Sequence, residues 1–343
     1  MKTETIKRIA ITGGTGFVGS HVARELLGAG HSVMLISRHR DSTESGLEQE
    51  FNGRVEIAKI GIDDPAELAK AFTGCDAVVH CAGINREIGR QTYDAVHIAG
   101  TRNVIDACKC AGVPKISITS FLRARPDCGS PYHESKFDAE ELVRNSGLEF
   151  TVFKPGVIYG RGDHMLDHLS HAFHTFPVFA FVGFEDKPIQ PLAVEDFARL
   201  VAAAATTDEL DGRTIAVTGP EELTLSAAVR RVAEAADKRP LLYFKAPLWF
   251  HRILARICEA TMKVPLLSIG QVRILSEGIV EPCGDYELPP KHLRPNTPFM
   301  EAHIRARLPK PKGFGFRDLR SGSHRLHRLP MEPRRGRVVR TPW

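Results

Sequence analysis

A doubly wound α/β fold, a parallel sheet covered by helices on both faces and joined to a smaller C-terminal region, is predicted by three features of the sequence. Strand-like and helix-like stretches alternate through the first 155 residues, and such alternation needs helical crossovers between parallel strands. The apolar run Ile9-Ala-Ile-Thr12 breaks into glycines and resumes as an amphipathic segment, which reads as a strand, a tight turn and a helix start. The 343 residues, 43% hydrophobic and 25% charged, have the composition of a soluble globular protein with a core filling one large or two modest domains.

Strands are expected at 8–12, 32–37, 55–60, 77–81, 115–120 and 150–154, with helices near 17–29, 65–73, 91–111 and 132–146. Asp64-Pro65 opens one of these helices with a cap residue and the proline favoured at the first helical position. Further on, 194–204 reads as a helix, 213–218 as a strand and 225–237 as a helix capped by Thr224. Residues 1–160, with 190–220 returning, are expected to form the main unit, and 161–189 with 221–305 a cap. From 306 a basic tail follows, expected to be disordered.

Gly13, Gly16 and Gly19 follow Thr12 in a T-G-x-x-G-x-x-G spacing. That spacing gives a sharp turn, a close approach of backbone to a pyrophosphate, and tight packing of helix on strand. The N–H groups of the helix start favour the phosphates, so the stretch predicts dinucleotide binding. The second strand ends Ile36-Ser-Arg-His-Arg40 without the acidic residue that would hold a ribose 2′-hydroxyl. Ser37, Arg38 and Arg40 suit a 2′-phosphate instead, which favours NADP(H) over NAD(H). The alternative is that Arg38 only stacks on the adenine.

Tyr132 and Lys136 stand four apart on a predicted helix, which puts phenol and ammonium on one face. The cation is expected to lower the phenol's pKa, and Ser120, at the end of the fifth strand, to hold a substrate oxygen beside it.

Thr12-Gly-Gly-Thr-Gly-Phe-Val-Gly19, Asp76-Ala-Val-Val-His-Cys-Ala-Gly83, Gly100-Thr-Arg-Asn-Val104, Tyr132-x-x-x-Lys136 and Lys154-Pro-Gly-Val-Ile-Tyr-Gly160 resemble the extended or atypical short-chain dehydrogenase/reductase superfamily. Gly160-Arg-Gly-Asp163, Gln190-Pro-Leu-Ala-Val-Glu-Asp196 and Thr218-Gly-Pro-Glu-Glu-Leu-Thr224 are most similar to the NAD(P)H-binding proteins related to the accessory subunit of respiratory complex I. The similarity runs from about residue 6 to 305. It implies a Rossmann fold, a catalytic set of Ser120, Tyr132 and Lys136, and cofactor contacts from Gly13, Thr15, Gly16, Phe17, Val18, Ser37, Arg38 and Arg40. It also implies contacts from Gly61, Ile62, Cys81, Ala82, Gly83, Tyr132, Lys136, Pro155 and Val157. Two positions depart from the pattern. Gly61 stands where relatives often carry an Asp against the adenine, and His97 where many have an Asn.

Three functions are compatible with these residues. The leading one is an oxidoreductase passing hydride between a nicotinamide and a carbonyl or alcohol, and a non-catalytic NADPH-binding member of a membrane respiratory or quinone-linked complex is the second. The third, a nucleotide-sugar epimerase or dehydratase, generally wants NAD and an acidic second-strand end.

Other segments open further options. His164, His168, His171 and His174 recur at near-helical spacing, but they lack a fixed partner set, and no metal is expected. The phenylalanines between 173 and 184 read as core packing, with an apolar pocket as the alternative. Residues 240–257 mix apolar and basic side chains at helical spacing, which suits one more packed helix, a partner helix or a membrane interface. The net charge of +5 is uneven: ten Lys or Arg against Asp318 and Glu332 make 309–343 +8 and leave the rest −3. Such a tail attracts anionic lipid, nucleic acid or an acidic partner by charge alone, and implies no specific nucleic acid. Seven cysteines without a C-x-x-C pair, no apolar run of membrane length and no signal peptide predict a cytoplasmic protein. In Cys108-x-Cys110 the two thiols should point to different helix faces.

Overall fold

A parallel sheet organises the computed structural model, which describes residues 6–38, 54–238, 242–262 and 266–315. Its strands are β1 (Arg8–Thr12), β2 (Ser32–Ile36), β3 (Val55–Ala58), β4 (Ala77–His80), β5 (Lys115–Thr119), β6 (Glu149–Pro155) and β7 (Arg213–Val217). They lie in the order β7-β6-β5-β4-β1-β2-β3, each pair parallel. Chain direction across the sheet reverses between β1 and β4, and at such a switch point a crevice opens beyond the C-terminal strand ends.

Both faces are covered. On one, α1 (Phe17–Gly28) and α6 (Val194–Thr206) pack Leu26, Leu27, Phe197 and Val201 onto Ile9, Ile11 and Leu35. On the other, α2 (Pro65–Phe72), α3 (Gly100–Ala111) and α4 (Pro131–Arg144) pack Leu68, Phe72, Val104 and Val143 onto Ala10, Val78 and Ile116. Both faces of the strands are therefore apolar, as the sequence pattern requires. The Asp64 side chain accepts the Ala66 and Glu67 N–H groups at the head of α2, with Pro65 as its first residue. Cys108 is buried and Cys110 exposed, as two positions apart on a helix dictates. The expected helix over 91–111 begins as a π turn, Asp94–Ala99, before α3.

A second core gathers Tyr159, Leu166, Phe173, Phe181, Val229, Val232 and Phe299. It lies between α5 (His164–Thr175), α7 (Leu225–Ala235) and the C-terminal segment, and Thr224 caps α7 as expected. Phe173, Phe179, Phe181 and Tyr243 pack ring against ring there. The described part of 240–257 is two elements instead of one helix. Leu242–Ala246 pairs in parallel with Val178–Val182, and Pro247 then starts α8 (Leu248–Thr261). A single helix fails because proline carries no N–H and the residue before it avoids the helical region. The cap continues in α9 (Ile269–Glu277). Among the described residues no helix is long and apolar enough to cross a membrane. Arg40 and residues 316–343 lie outside the described residues.

Candidate active site

The turn after β1 is built on absent side chains. Gly13 has φ of +67°, and a Cβ there would stand 2.8 Å from the Ala82 nitrogen. A Cβ at Gly19 would stand 2.3 Å from the Gly13 carbonyl oxygen, an approach that only glycine permits, and one at Gly16 would stand 3.1 Å from the same atom, a tight contact. Gly16 heads α1 without a side-chain cap, and no acidic residue lies in the first turn, which carries Phe17 and Val18. That end keeps N–H groups and positive dipole for an anion. Thr15 Oγ1 lies 3.2 Å from Ser37 Oγ and ties the turn to the end of β2.

Arg38 donates to Gln91 Oε1 at 3.3 Å and passes 3.7 Å from where a Gly61 Cβ would stand. The same Cβ position is 2.0 Å from Asp63 Oδ1, so the Asp63 carboxylate fills the space that a side chain at 61 would take. Sequence reading missed this residue, whose only signal was an acid two places beyond the glycine. Asn103 donates to the Ile62 carbonyl at 2.9 Å, fixing the same loop against α3.

Beyond β4, Cys81 meets Thr119 Oγ1 at 3.6 Å, and burial pushes its thiol up to about 11. A Cβ on Gly83 would stand 3.2 Å from Lys136 Nζ and 3.6 Å from His97 Nε2, so bare backbone lies against both. Lys136 Nζ donates to the Thr119 carbonyl at 3.0 Å, and burial pushes its ammonium down to about 8.

Two buried histidines brace this floor, and their hydrogen bonds fix their tautomers. Thr101 Oγ1 donates to the His97 carbonyl at 2.5 Å and so accepts from His80 Nε2–H at 3.0 Å, which leaves His80 Nδ1 to accept from Thr12 at 2.6 Å. His97 Nε2 accepts the Ile84 N–H at 3.1 Å, so its Nδ1–H donates to Ser135 Oγ at 2.9 Å. Burial, with Lys136 nearby, holds His80 down to about 3 and His97 down to about 2, and both are neutral.

The Tyr132 ring sits among Phe121, Tyr93, His97 and His133, with ring centroids 5.6 to 5.9 Å away. Burial, and then the Tyr93 phenol, push its pKa up, contrary to the lowering expected from Lys136. Desolvation of the phenolate outweighs the cation, whose ammonium is turned to Thr119.

Ser120 also departs from expectation. Its hydroxyl donates to Glu140 Oε1 and does not stand free beside the phenol. Glu140 is fully buried, accepts from Arg144 at 2.7 Å and Lys154 at 3.3 Å, and so draws the nearest hydroxyl into its own shell. Pro155 accepts the Leu122 N–H at 2.8 Å, and Val157 packs with Phe121, Leu122 and Tyr132 on the wall of the same crevice.

The recurring histidines lie on α5. Asp163 caps it, His174 Nδ1 bonds the Ser170 carbonyl at 2.8 Å, and His171 meets the Phe314 ring edge-on. Among the described residues no three His, Cys, Asp or Glu side chains gather where they could hold a metal.

A glycine-lined turn at the sheet's switch point, with a Tyr and a Lys one helical turn apart beside it, is the arrangement of a Rossmann-like α/β fold. Residues 13–169 match the NAD(P)H-binding family. An uncharacterized protein of Mycobacterium tuberculosis is 29% identical over 267 residues, covering 78% of this chain, which spans only 27% of that relative's length. The ceramide reductase of Caulobacter vibrioides is 26% identical over 71% of this chain and 74% of its own. NADH dehydrogenase [ubiquinone] 1 alpha subcomplex subunit 9 of Dictyostelium discoideum is 26% identical over 65% and 62%. In fold, the UDP-glucuronic acid 4-epimerase of Bacillus cereus, solved with UDP-glucuronic acid and NAD, superposes with a TM-score of 0.64 at 18% identity, covering 88% of this chain and 97% of its own.

Proposed function

We propose that this protein is an NADP(H)-dependent oxidoreductase that reduces a carbonyl or oxidises the matching alcohol. The observation that carries the reading is the placement of Lys136 Nζ under the bare backbone of Gly83, with Tyr132 one turn before it on α4. Bound nicotinamide supplies or accepts the hydride. Tyr132 gives the proton to the carbonyl oxygen during reduction and takes it back during oxidation, so its high pKa in the free site suits a proton donor. Lys136 holds the nicotinamide ribose and, by its charge, stabilises Tyr132 as the proton leaves. Gly13, Thr15, Gly16, Phe17 and Val18 cradle the pyrophosphate, Ser37 and Arg38 meet the 2′-phosphate, and Asp63 with Ile62 borders the adenine. Residues 1–160 with 190–220 carry these contacts, and 161–189 with 221–305 form the cap. Ser120 acts through Glu140 as a brace and not on substrate. Seven free thiols suit a reducing, cytoplasmic compartment.

The test is to denature the purified protein and identify the nucleotide released. NADP(H) supports the reading; NAD(H) overturns the 2′-phosphate assignment and favours a cyclic epimerase or dehydratase; a preparation that neither carries nor binds nucleotide overturns the whole. The similarity to the Dictyostelium complex I subunit supports a second reading, an NADPH-binding accessory protein of a larger assembly. Co-elution with such an assembly and no oxidation of NADPH by any carbonyl would favour it.

A further inference from the structure

Among the described residues, helix α8 is packed from one side only. His251, Ala255 and Cys258 face inward, and His251 Nε2 lies 3.3 Å from the Ala180 carbonyl. On the outer face Trp249, Ile253 and Ile257, at i, i+4 and i+8, are 63%, 49% and 54% exposed. Arg252 and Arg256, both exposed, run beside that ridge one helical turn apart. Across Leu242–Thr261 the charged side chains are Lys245, Arg252, Arg256 and Glu259, and Glu259 accepts the Ile269 N–H at 3.1 Å. The face is thus an apolar ridge with a cationic rail and little negative charge to offset it.

Water opposes leaving a Trp and two Ile side by side on one helix, so the ridge calls for an occupant. A second copy fits poorly. A two-fold interface sets ridge on ridge and therefore Arg252 and Arg256 against their own copies, with one carboxylate per chain already engaged. An anionic bilayer satisfies both parts at once, because apolar tips enter the acyl boundary while guanidinium groups rise along their stems to the phosphates.

We propose that α8 docks this protein on an anionic membrane surface, with Trp249, Ile253 and Ile257 entering the interface and Arg252 and Arg256 meeting lipid phosphates. The inference is independent of the chemistry at Tyr132. It bears on that chemistry through position alone: Glu259 of α8 holds the start of α9, where a Cβ on Gly270 would stand 3.6 Å from the Asn85 carbonyl oxygen, and Asn85 accepts the Tyr93 hydroxyl at the site wall. The chain beyond Gly315 adds eight arginines against Asp318 and Glu332, so the experiment must separate tail from helix.

Trp249 and Trp343 are the two tryptophans, and Trp343→Phe in the full chain leaves Trp249 as the sole reporter. With phosphatidylcholine vesicles containing phosphatidylglycerol, Trp249 emission shifts to the blue and is quenched by brominated acyl chains. With phosphatidylcholine alone it shifts little. Ile253→Ser with Ile257→Ser weakens partition about tenfold or more, and Arg252→Gln or Arg256→Gln weakens it about fivefold each. These side chains are exposed, so the variants keep the wild-type melting temperature. An unchanged Trp249 spectrum on anionic vesicles overturns the proposal. So does partition that survives the Ile and Arg variants and vanishes when 316–343 are removed, or a concentration-dependent dimer that Ile253→Asp dissociates.

Discussion

Ser120 at the end of β5 donates its hydroxyl to Glu140 on α4, and Lys154 of β6 reaches the same carboxylate at 3.3 Å. The buried carboxylate thereby ties two strands and a helix together directly behind the candidate site. Ser120→Ala removes one charge-assisted hydrogen bond and is expected to cost about 1–3 kcal/mol of stability. Urea unfolding measures that loss, while turnover of NADPH with a carbonyl substrate stays close to wild type. A large loss of turnover at unchanged stability would return Ser120 to the catalytic set.

Tyr132→Phe keeps the ring among Phe121, Tyr93, His97 and His133 and deletes only the hydroxyl proposed as proton donor. A positioned general acid contributes about 10²–10⁴-fold, so kcat should fall by that order while NADPH affinity stays near wild type. Equal turnover by the variant would reject the assignment.

Much of this site could be read from residues alone because its signals are local. The glycines at 13, 16 and 19 and the spacing of Tyr132 and Lys136 need only neighbours in sequence, and β1 to β6 fall within a residue or two of their expected places. What escaped depended on distant partners. Ser120 faces Glu140 because twenty residues later α4 delivers a buried carboxylate, and Tyr132 is buried among rings that include Tyr93, thirty-nine residues earlier. The strand Leu242–Ala246 exists by pairing with Val178–Val182, and neither stretch specifies that pairing by itself.

Lys136 supplies a pH dependence with two opposite signs. Burial pushes it down to about 8 from 10.5, so the free site loses its ammonium as pH rises through 8. NADPH affinity, titrated on the free protein, should hold below pH 8 and decline above it, and Lys136→Met should flatten that limb. In stability the trend reverses. Between pH 8 and 10.5 the unfolded chain keeps the proton that the folded one has lost, so this group adds stability as pH rises.

His80 and His97 act on the acid side. Their folded values of about 3 and about 2 lie below the ordinary 6.5, so the unfolded chain takes up protons first as pH falls. The stability they contribute is complete above pH 6.5 and drains away as pH falls towards their folded values. Denaturant midpoints measured from pH 7 down to 4 should decline, and more gently in His97→Asn, which cannot take up a proton. An equally steep decline in that variant would place the acid sensitivity elsewhere.

Arg38 decides between two accounts of the cofactor's far end. Its guanidinium reaches Gln91 at 3.3 Å and its stem passes the Gly61 backbone, so it can either meet a 2′-phosphate or lie flat on the adenine. A phosphate carries the charge that a bidentate guanidinium recognises, and losing that contact costs roughly a factor of ten or more in affinity. Stacking is blind to the phosphate. Arg38→Ala should therefore weaken NADPH by about tenfold while leaving NADH nearly untouched, read as the ratio of the two Kd values in parallel titrations. If both Kd values rise together, the side chain serves the adenine alone and the NADP(H) preference loses its support from this strand end.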